Sequence, residues 1–358
     1  MSGKRPLGLA AGLVLGCLLA APFLLQQREA AAAPAPALAR QGVLARHGTV
    51  GAAQPVARHA GAASLVGGPV LARSGATVNV HVSASFPDAA ARTQRWADFF
   101  GALPHGDELS TVAIMVVTAA ELPASCSAEA LGCYRPGQLI FADEVIDGVS
   151  PEEVARHEYG HHVAESRLNT PWPALDWGPK RWATAVDVCP DVQSGNAFPG
   201  DEGDHYTQNP AEAWAEAYRI LAERSAGLPG DTWSIVVGKY YPDEAMLAAV
   251  KLDVLQPWTA PTTRRFKAAF ARRGKRQWDK KVVTPLDGTI VVKLTMPVGP
   301  RHGVALYAAD GRTLIARSTA FTSTSRTISS TICGQRSVVV RVTRGTTPTP
   351  FTVAVTAP

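Results

Sequence analysis

The stretch SPEEVARHEYGHHVAES, residues 150–166, decides how the rest of the chain is read. Ser150 is followed three residues later by Glu153, a capping-box pattern, and Pro151 falls at the first helical position, where its missing N–H costs nothing. The pattern predicts a helix that places His157 and His161 one turn apart on one face, with Glu158 beside the first. This is H-E-x-x-H: two imidazoles that can converge on one zinc ion while the glutamate reaches its bound water. The competing reading is a solvated helix that carries its histidines by chance. Gly160 in mid-helix costs about 1 kcal/mol against Ala, which implies close approach by a neighbouring strand or a ligand. His162 lies about 100° around the helix from His161 and is expected at the surface or behind the ligands, not on the metal.

A catalytic zinc site needs a third protein ligand. A metzincin would need glycine and histidine where Ala164 and Arg167 stand, so that subclass is excluded. Downstream, NPAEAWAEAYR offers Glu212 and Glu216 one turn apart on a second helix. Asn209 as N-cap, Pro210 and Glu212 also resemble a capping-box start, in which Glu212 would merely satisfy backbone donors. The metal reading makes Glu212 the ligand and Glu216 the group that orients a histidine from behind. The swapped roles, or His205, Asp201 or Asp204 as the third ligand, stay open at this point.

HEYGHHV followed by YTQNPAEAWAEAYR resembles the gluzincin-type zinc peptidases related to anthrax lethal factor. That family pairs an H-E-aromatic-G-H helix with an E-x-aromatic-A-E-A-aromatic-R helix. The resemblance covers about residues 78–225 and is strong at the two helices. It implies an α+β, zincin-like catalytic domain, a mixed sheet with active-site helices, holding one catalytic Zn2+. It also implies His157, His161 and Glu212 as metal ligands, Glu158 as general base and Glu216 as the glutamate one turn beyond the ligand. Tyr206 matches a family tyrosine that stabilises the tetrahedral intermediate, although it sits one residue closer to Glu212 than the family spacing.

Around this centre the hydrophobic pattern predicts several elements. TVNVHVSASF reads as a strand, DAAARTQRWADFFGAL as an amphipathic helix, STVAIMVVTA as a buried strand and GQLIFADE as a short strand that could be an edge for an extended peptide. Residues 168–208 read as irregular, with Trp172, Trp177 and Trp182 either lining a cleft or anchoring the segment. A helical region is expected to continue to about Gly274. Within it the basic run RRFKAAFARRGKRQWDKK, residues 264–281, reads as a solvated helix and hinge, or as an attachment site for anionic cell-surface material. From Val282 onward alternating strands with Asp-Gly and Gly-rich turns predict a small all-β sandwich. That module, residues 282–358, weakly resembles the pre-peptidase C-terminal domains of secreted bacterial proteases. The catalytic domain is then 76–281.

Lys4 and Arg5 precede an apolar run from Leu7 to Leu25 and a small-residue site at Ala30-Ala31-Ala32. Residues 1–32 therefore read as a signal peptide, with a signal anchor as the rival, and residues 33–75 as a low-complexity linker or pro-segment. Either way the remainder leaves the cytoplasm, as a secreted or a membrane-anchored protein. Beyond Cys17 there are four cysteines, which in an exported chain favours two disulfides with three possible connectivities. Cys126 with Cys133 is the simplest pairing, leaving Cys189 for Cys333. A formal charge of +5 gives no strong case for a nucleic-acid partner. The expectation is a monomeric, secreted zinc metallopeptidase acting on peptide or protein. A non-catalytic surface-binding protein and a zinc hydrolase of a non-peptide amide are the alternatives.

Overall fold

The computed structural model describes residues 64–318 and 324–358. The expected signal or anchor segment, 1–32, and most of the expected linker lie outside the described residues. No helix among the described residues is long and apolar enough to cross a membrane.

Val78, Val80 and Val82 are fully buried and alternate with more exposed neighbours, the period of a strand with one face on a core. The sheet around them has five strands: Leu65–Leu71 (β1), Thr77–Ser83 (β2), Ala113–Val117 (β3), Gly132–Arg135 (β4) and Gln138–Ala142 (β5), in the order β1-β2-β3-β5-β4. Strands β2, β3 and β5 run parallel, while β1 and β4 close the two edges antiparallel. The helix Ala89–Ala102 (α1) supplies the crossover that parallel β2 and β3 require. Two expectations are corrected here. Residues 65–71 are a paired strand, not linker, and β5 is an interior strand, so the last strand on that side is β4, which is itself buried.

Successive residues of β5 face opposite ways. Leu139 and Phe141 join the main core, where Trp96 of α1 meets Phe141 edge-on at 4.5 Å between ring centroids. Ile140 and Ala142 join a smaller cluster with Leu122 of the short helix Leu122–Ser125 (α2) and Cys133. The Cys126–Cys133 disulfide lies over that second face.

Beyond β5 the chain is helical: Pro151–Glu165 (α3), Ala174–Trp177 (α4), Lys180–Ala185 (α5), Val188–Ser194 (α6), Pro210–Ser225 (α7) and Glu244–Leu255 (α8). The stretch expected to be irregular thus carries three short helices. Its tryptophans anchor it: Trp182 is fully buried and edge-on to Trp214, and Trp172 stacks on Trp177 at 4.8 Å.

The C-terminal part begins earlier than Val282, and the basic run is not helical. Thr262–Ala269 (β6) and Gln277–Val283 (β7) are strands, followed by Gly288–Thr295 (β8), Gly303–Ala308 (β9), Leu314–Arg317 (β10), Ser325–Ile332 (β11), Ser337–Thr343 (β12) and Pro350–Ala357 (β13). They form two four-stranded antiparallel sheets, β10-β9-β12-β7 and β11-β8-β13-β6. One apolar core lies between them, with Ile290, Val292, Leu294, Val338, Val340, Val342 and Val353 fully buried. The tie between this module and the helices is covalent, through Cys189–Cys333, and polar as well. Lys180 Nζ donates to the Asp287 carbonyl at 2.9 Å, and Arg336 donates to the Thr184 carbonyl at 3.0 Å.

Candidate metal centre

Helix α3 starts as its sequence requires. Ser150 Oγ accepts the Glu153 N–H at 3.3 Å, and Glu153 Oε2 accepts the Ser150 N–H at 3.0 Å. From Val154 to Ala164 every residue is buried, which excludes a solvated helix. The reason is that α3 lies between the β4–β5 side of the sheet and α7. A Cβ on Gly160 would stand 2.9 Å from the Ala215 Cα, so glycine lets the two helix backbones meet. The Trp214 indole N–H, on α7, donates to the Gly160 carbonyl at 2.7 Å and fixes the contact.

The second helix shows which way Glu212 turns. Asn209 caps α7 alone, its side chain accepting the Ala211 N–H at 3.0 Å, and no reciprocal bond from Glu212 completes a capping box. Instead Glu212 turns toward α3. Its Oε2 is 3.1 Å from His157 Nε2, and its Oε1 is 3.4 Å from His161 Nε2. One ligand atom from each of His157, His161 and Glu212 lies within 4.8 Å of the others, and all three side chains are buried. Ligands about 2.0–2.1 Å from a tetrahedral zinc ion sit roughly 3.3 Å apart, so these spacings and this N,N,O donor set fit a zinc ion.

The electrostatics favour positive charge at the same point. Burial opposes charge on His157, but Glu212 and Glu216 outweigh it and push its pKa up to about 10. Burial alone would raise the Glu212 carboxyl, yet His161 and His157 hold it down at about 2. Tyr206 is half-buried and donates its hydroxyl to Glu212 Oε2 at 2.6 Å. Burial, then the Glu212 charge, keep that phenol proton on well above its ordinary range. Glu158 is 1% exposed, and its stem runs past the edge strand: a Cβ on Gly132 of β4 would come within 3.1 Å of its Cγ.

Glu216 lies behind His157, 3.9 Å from Nδ1, too long for a hydrogen bond but close enough to act as a fixed charge. Arg219 grips it with Nε at 2.9 Å and Nη2 at 2.8 Å, and also reaches Glu223 at 2.7 Å. Burial would raise Glu216, but the Arg219 charge holds it at about 2. Trp233 completes this wall. Its ring stacks on His157 at 5.4 Å, its backbone N–H donates to Glu216 at 2.7 Å, and the Arg219 guanidinium lies over the ring at 4.3 Å.

Two of these partners carried no sequence signal. Trp233 comes from a loop without periodicity, and Tyr134, on β4, stacks over His161 with ring centroids 6.3 Å apart. Tyr134 also donates to Glu165 and bonds His162 Nδ1 at 3.0 Å. His162 is buried, not at the surface, with Nε2 2.8 Å from the Glu108 carbonyl. It is not among the three side chains that converge. Of the open ligand alternatives, Asp201 and His205 pair with each other at 2.9 Å and are not in that set. Both expected disulfides are present: Cys126–Cys133, with Cα atoms 5.9 Å apart, and Cys189–Cys333, at 5.4 Å.

No family model matches the chain, and no curated protein does. Among solved structures, the chain is similar to the pre-peptidase C-terminal domain of a collagenase from Bacillus anthracis, at 13% identity over 27% of this chain and 89% of that one, with a TM-score of 0.22. It is also similar to the SPBc2 prophage-derived protein YomS, at 14% identity over 27% of this chain and 96% of that one, with a TM-score of 0.18. Likenesses this weak carry no argument about fold or activity, which rest on the residues themselves.

Proposed function

We propose that the chain is an exported zinc metallopeptidase whose zincin-like domain carries the chemistry and whose β module is accessory. The observation that carries this reading is the convergence of His157 and His161, on α3, with Glu212, on α7 and 55 residues beyond His157, on one buried point. A buried carboxylate and two imidazoles are costly to assemble without a cation to share, and three protein ligands leave zinc one open position. A zinc ion held there supplies Lewis-acid polarisation of a carbonyl and lowers the pKa of a water.

The remaining work falls to the protein. Glu158, next to the first ligand and turned toward β4, accepts the proton of the attacking water and returns it to the leaving amine. Tyr206, which keeps its proton, exchanges its bond to Glu212 for one to the carbonyl oxygen as negative charge develops there. Glu216, Arg219 and Trp233 hold His157 in one orientation. Export agrees with the two disulfides and the N-terminal sequence.

The test is zinc content per chain, wild type beside Glu212→Ala, followed by cleavage of a peptide library. One zinc per wild-type chain, a large loss in the variant and metal-dependent cleavage would support the proposal. A well-folded wild type that takes up no zinc would remove it.

A further inference from the structure

The whole-chain charge of +5 conceals a division. Residues 262–358 hold 17 Arg and Lys against three Asp, a net +14, whereas residues 1–261 hold 18 against 27, a net −9. Over half of the module's cations lie in one place. Arg264, Arg265, Lys267, Arg272, Arg273, Lys275, Arg276, Lys280 and Lys281 fall on β6, on β7 and on the loop joining them, and all nine are exposed. β6 is the edge strand of one sheet and β7 the edge strand of the other. The two edges meet where Phe266 and Trp278 face each other at 6.4 Å, so the cations form a ridge along one side of the module. Among the described residues none of the nine forms an ion pair. The ridge's single acid, Asp279, is taken by Arg341, at 2.9 and 2.8 Å.

Edge strands commonly carry a lysine or two against edge-to-edge association. That need does not explain four cations in the loop, where there is no edge to guard, or the lack of interspersed acids. Nine like charges repel one another, and the cost is recovered only when anions are bound. We infer that the β6–β7 ridge is a docking surface for a linear anionic polysaccharide, whose sulfates or carboxylates pair with the Arg and Lys heads along it. Apart from Val283 at the end of β7, the ridge exposes no large apolar side chain, whereas a membrane surface would call for a cluster of them. Its two aromatic rings are half-buried in the module, so no platform is offered for stacked nucleic-acid bases. A polymer read by charge alone fits what remains. The site is separate from the metal centre and stands or falls without it.

The experiment uses the whole protein and a heparin fragment of defined length as the probe, with Kd measured as a function of sodium chloride. Binding that persists at about 0.15 M salt and weakens steadily above it is expected. Arg264→Gln, Arg265→Gln, Lys267→Gln and Lys281→Gln together should weaken it about tenfold or more and flatten the salt dependence. Arg312→Gln with Arg317→Gln, at the opposite edge of the β7 sheet, should leave it unchanged. No heparin binding by the wild type, or equal loss in both variants, would overturn the proposal. Tighter binding to phosphatidylglycerol vesicles or to single-stranded DNA than to heparin would overturn the assignment of partner. Melting of each variant verifies that the substitutions leave the fold intact.

Discussion

Gly160 of α3 lies under Ala215 of α7 so closely that a methyl group on the glycine would stand 2.9 Å from the Ala215 Cα. The contact sets the gap across which Glu212 faces His157 and His161. Gly160→Ala should gain about 1 kcal/mol in helix propensity and lose about 1–3 kcal/mol in overpacking, because the obstruction is backbone and cannot rotate away. The net change in stability is small, and the informative readout is metal binding. Zinc affinity is expected to fall at least tenfold while far-UV circular dichroism is unchanged. Wild-type affinity in the variant would show that the helix gap does not govern the site.

Under the proposed function, substitutions at Glu158 and His161 would separate chemistry from metal retention. On the proposed mechanism Glu158→Gln keeps the zinc and loses hydrolysis, by 10²–10⁴-fold or so if proton transfer is its main task. His161→Ala should lose both. Steady-state cleavage beside elemental zinc analysis reads the two together, and turnover retained in Glu158→Gln would discard the mechanism.

How much of this was legible in the chain depends on how local each signal was. The start of α3 was, because Ser150, Pro151 and Glu153 carry their own capping chemistry. Glu212 was identified only as one of two readings, since an N3 glutamate serves a cap or a metal equally well until the partner helix is in place. The β6–β7 region was misread. RRFKAAFARRGKRQWDKK is rich in residues that suit helices, and its strand character comes from pairing with β13 and β12, strands far along the chain. The inward alternation of Phe266 with Ala268, and of Trp278 with Val282, was present but masked by exposed Arg and Lys at both ends. Trp233 and Tyr134 reach the histidines only through the tertiary fold, so no spacing could have indicated them.

Arg219 is fully buried and pairs with both Glu216 and Glu223. Arg219→Met should destabilise the protein by about 3–5 kcal/mol, because it strands a carboxylate away from water beside His157. Pairing it with Glu216→Gln should restore part of that loss. Urea denaturation of the two variants and wild type tests this, and a double variant no more stable than Arg219→Met would show that the Arg–Glu charge pair is not what the arginine supports.

Lys180 gives the junction between the helices and the β module a pH dependence of its own. It is 1% exposed and donates to the carbonyls of Thr170 and Asp287, at 2.7 and 2.9 Å. Trp172 and Trp258 lie beside its ammonium group, at 5.4 and 5.1 Å. Burial drives its pKa down to about 8, only partly offset by the charges of Asp287 and Asp253. In the unfolded chain the same group titrates near 10.4, so between about pH 8 and 10.4 the unfolded state binds more protons and stability rises with pH. Below that window both states are protonated and the cost of burying the charge is present in full. The stability of wild type relative to Lys180→Met should therefore increase from pH 8 to pH 10 and stay level from pH 6 to pH 7.5. Urea midpoints across that range measure it, and a difference that shrinks as the pH rises would show that the lysine is held as a well-paired cation.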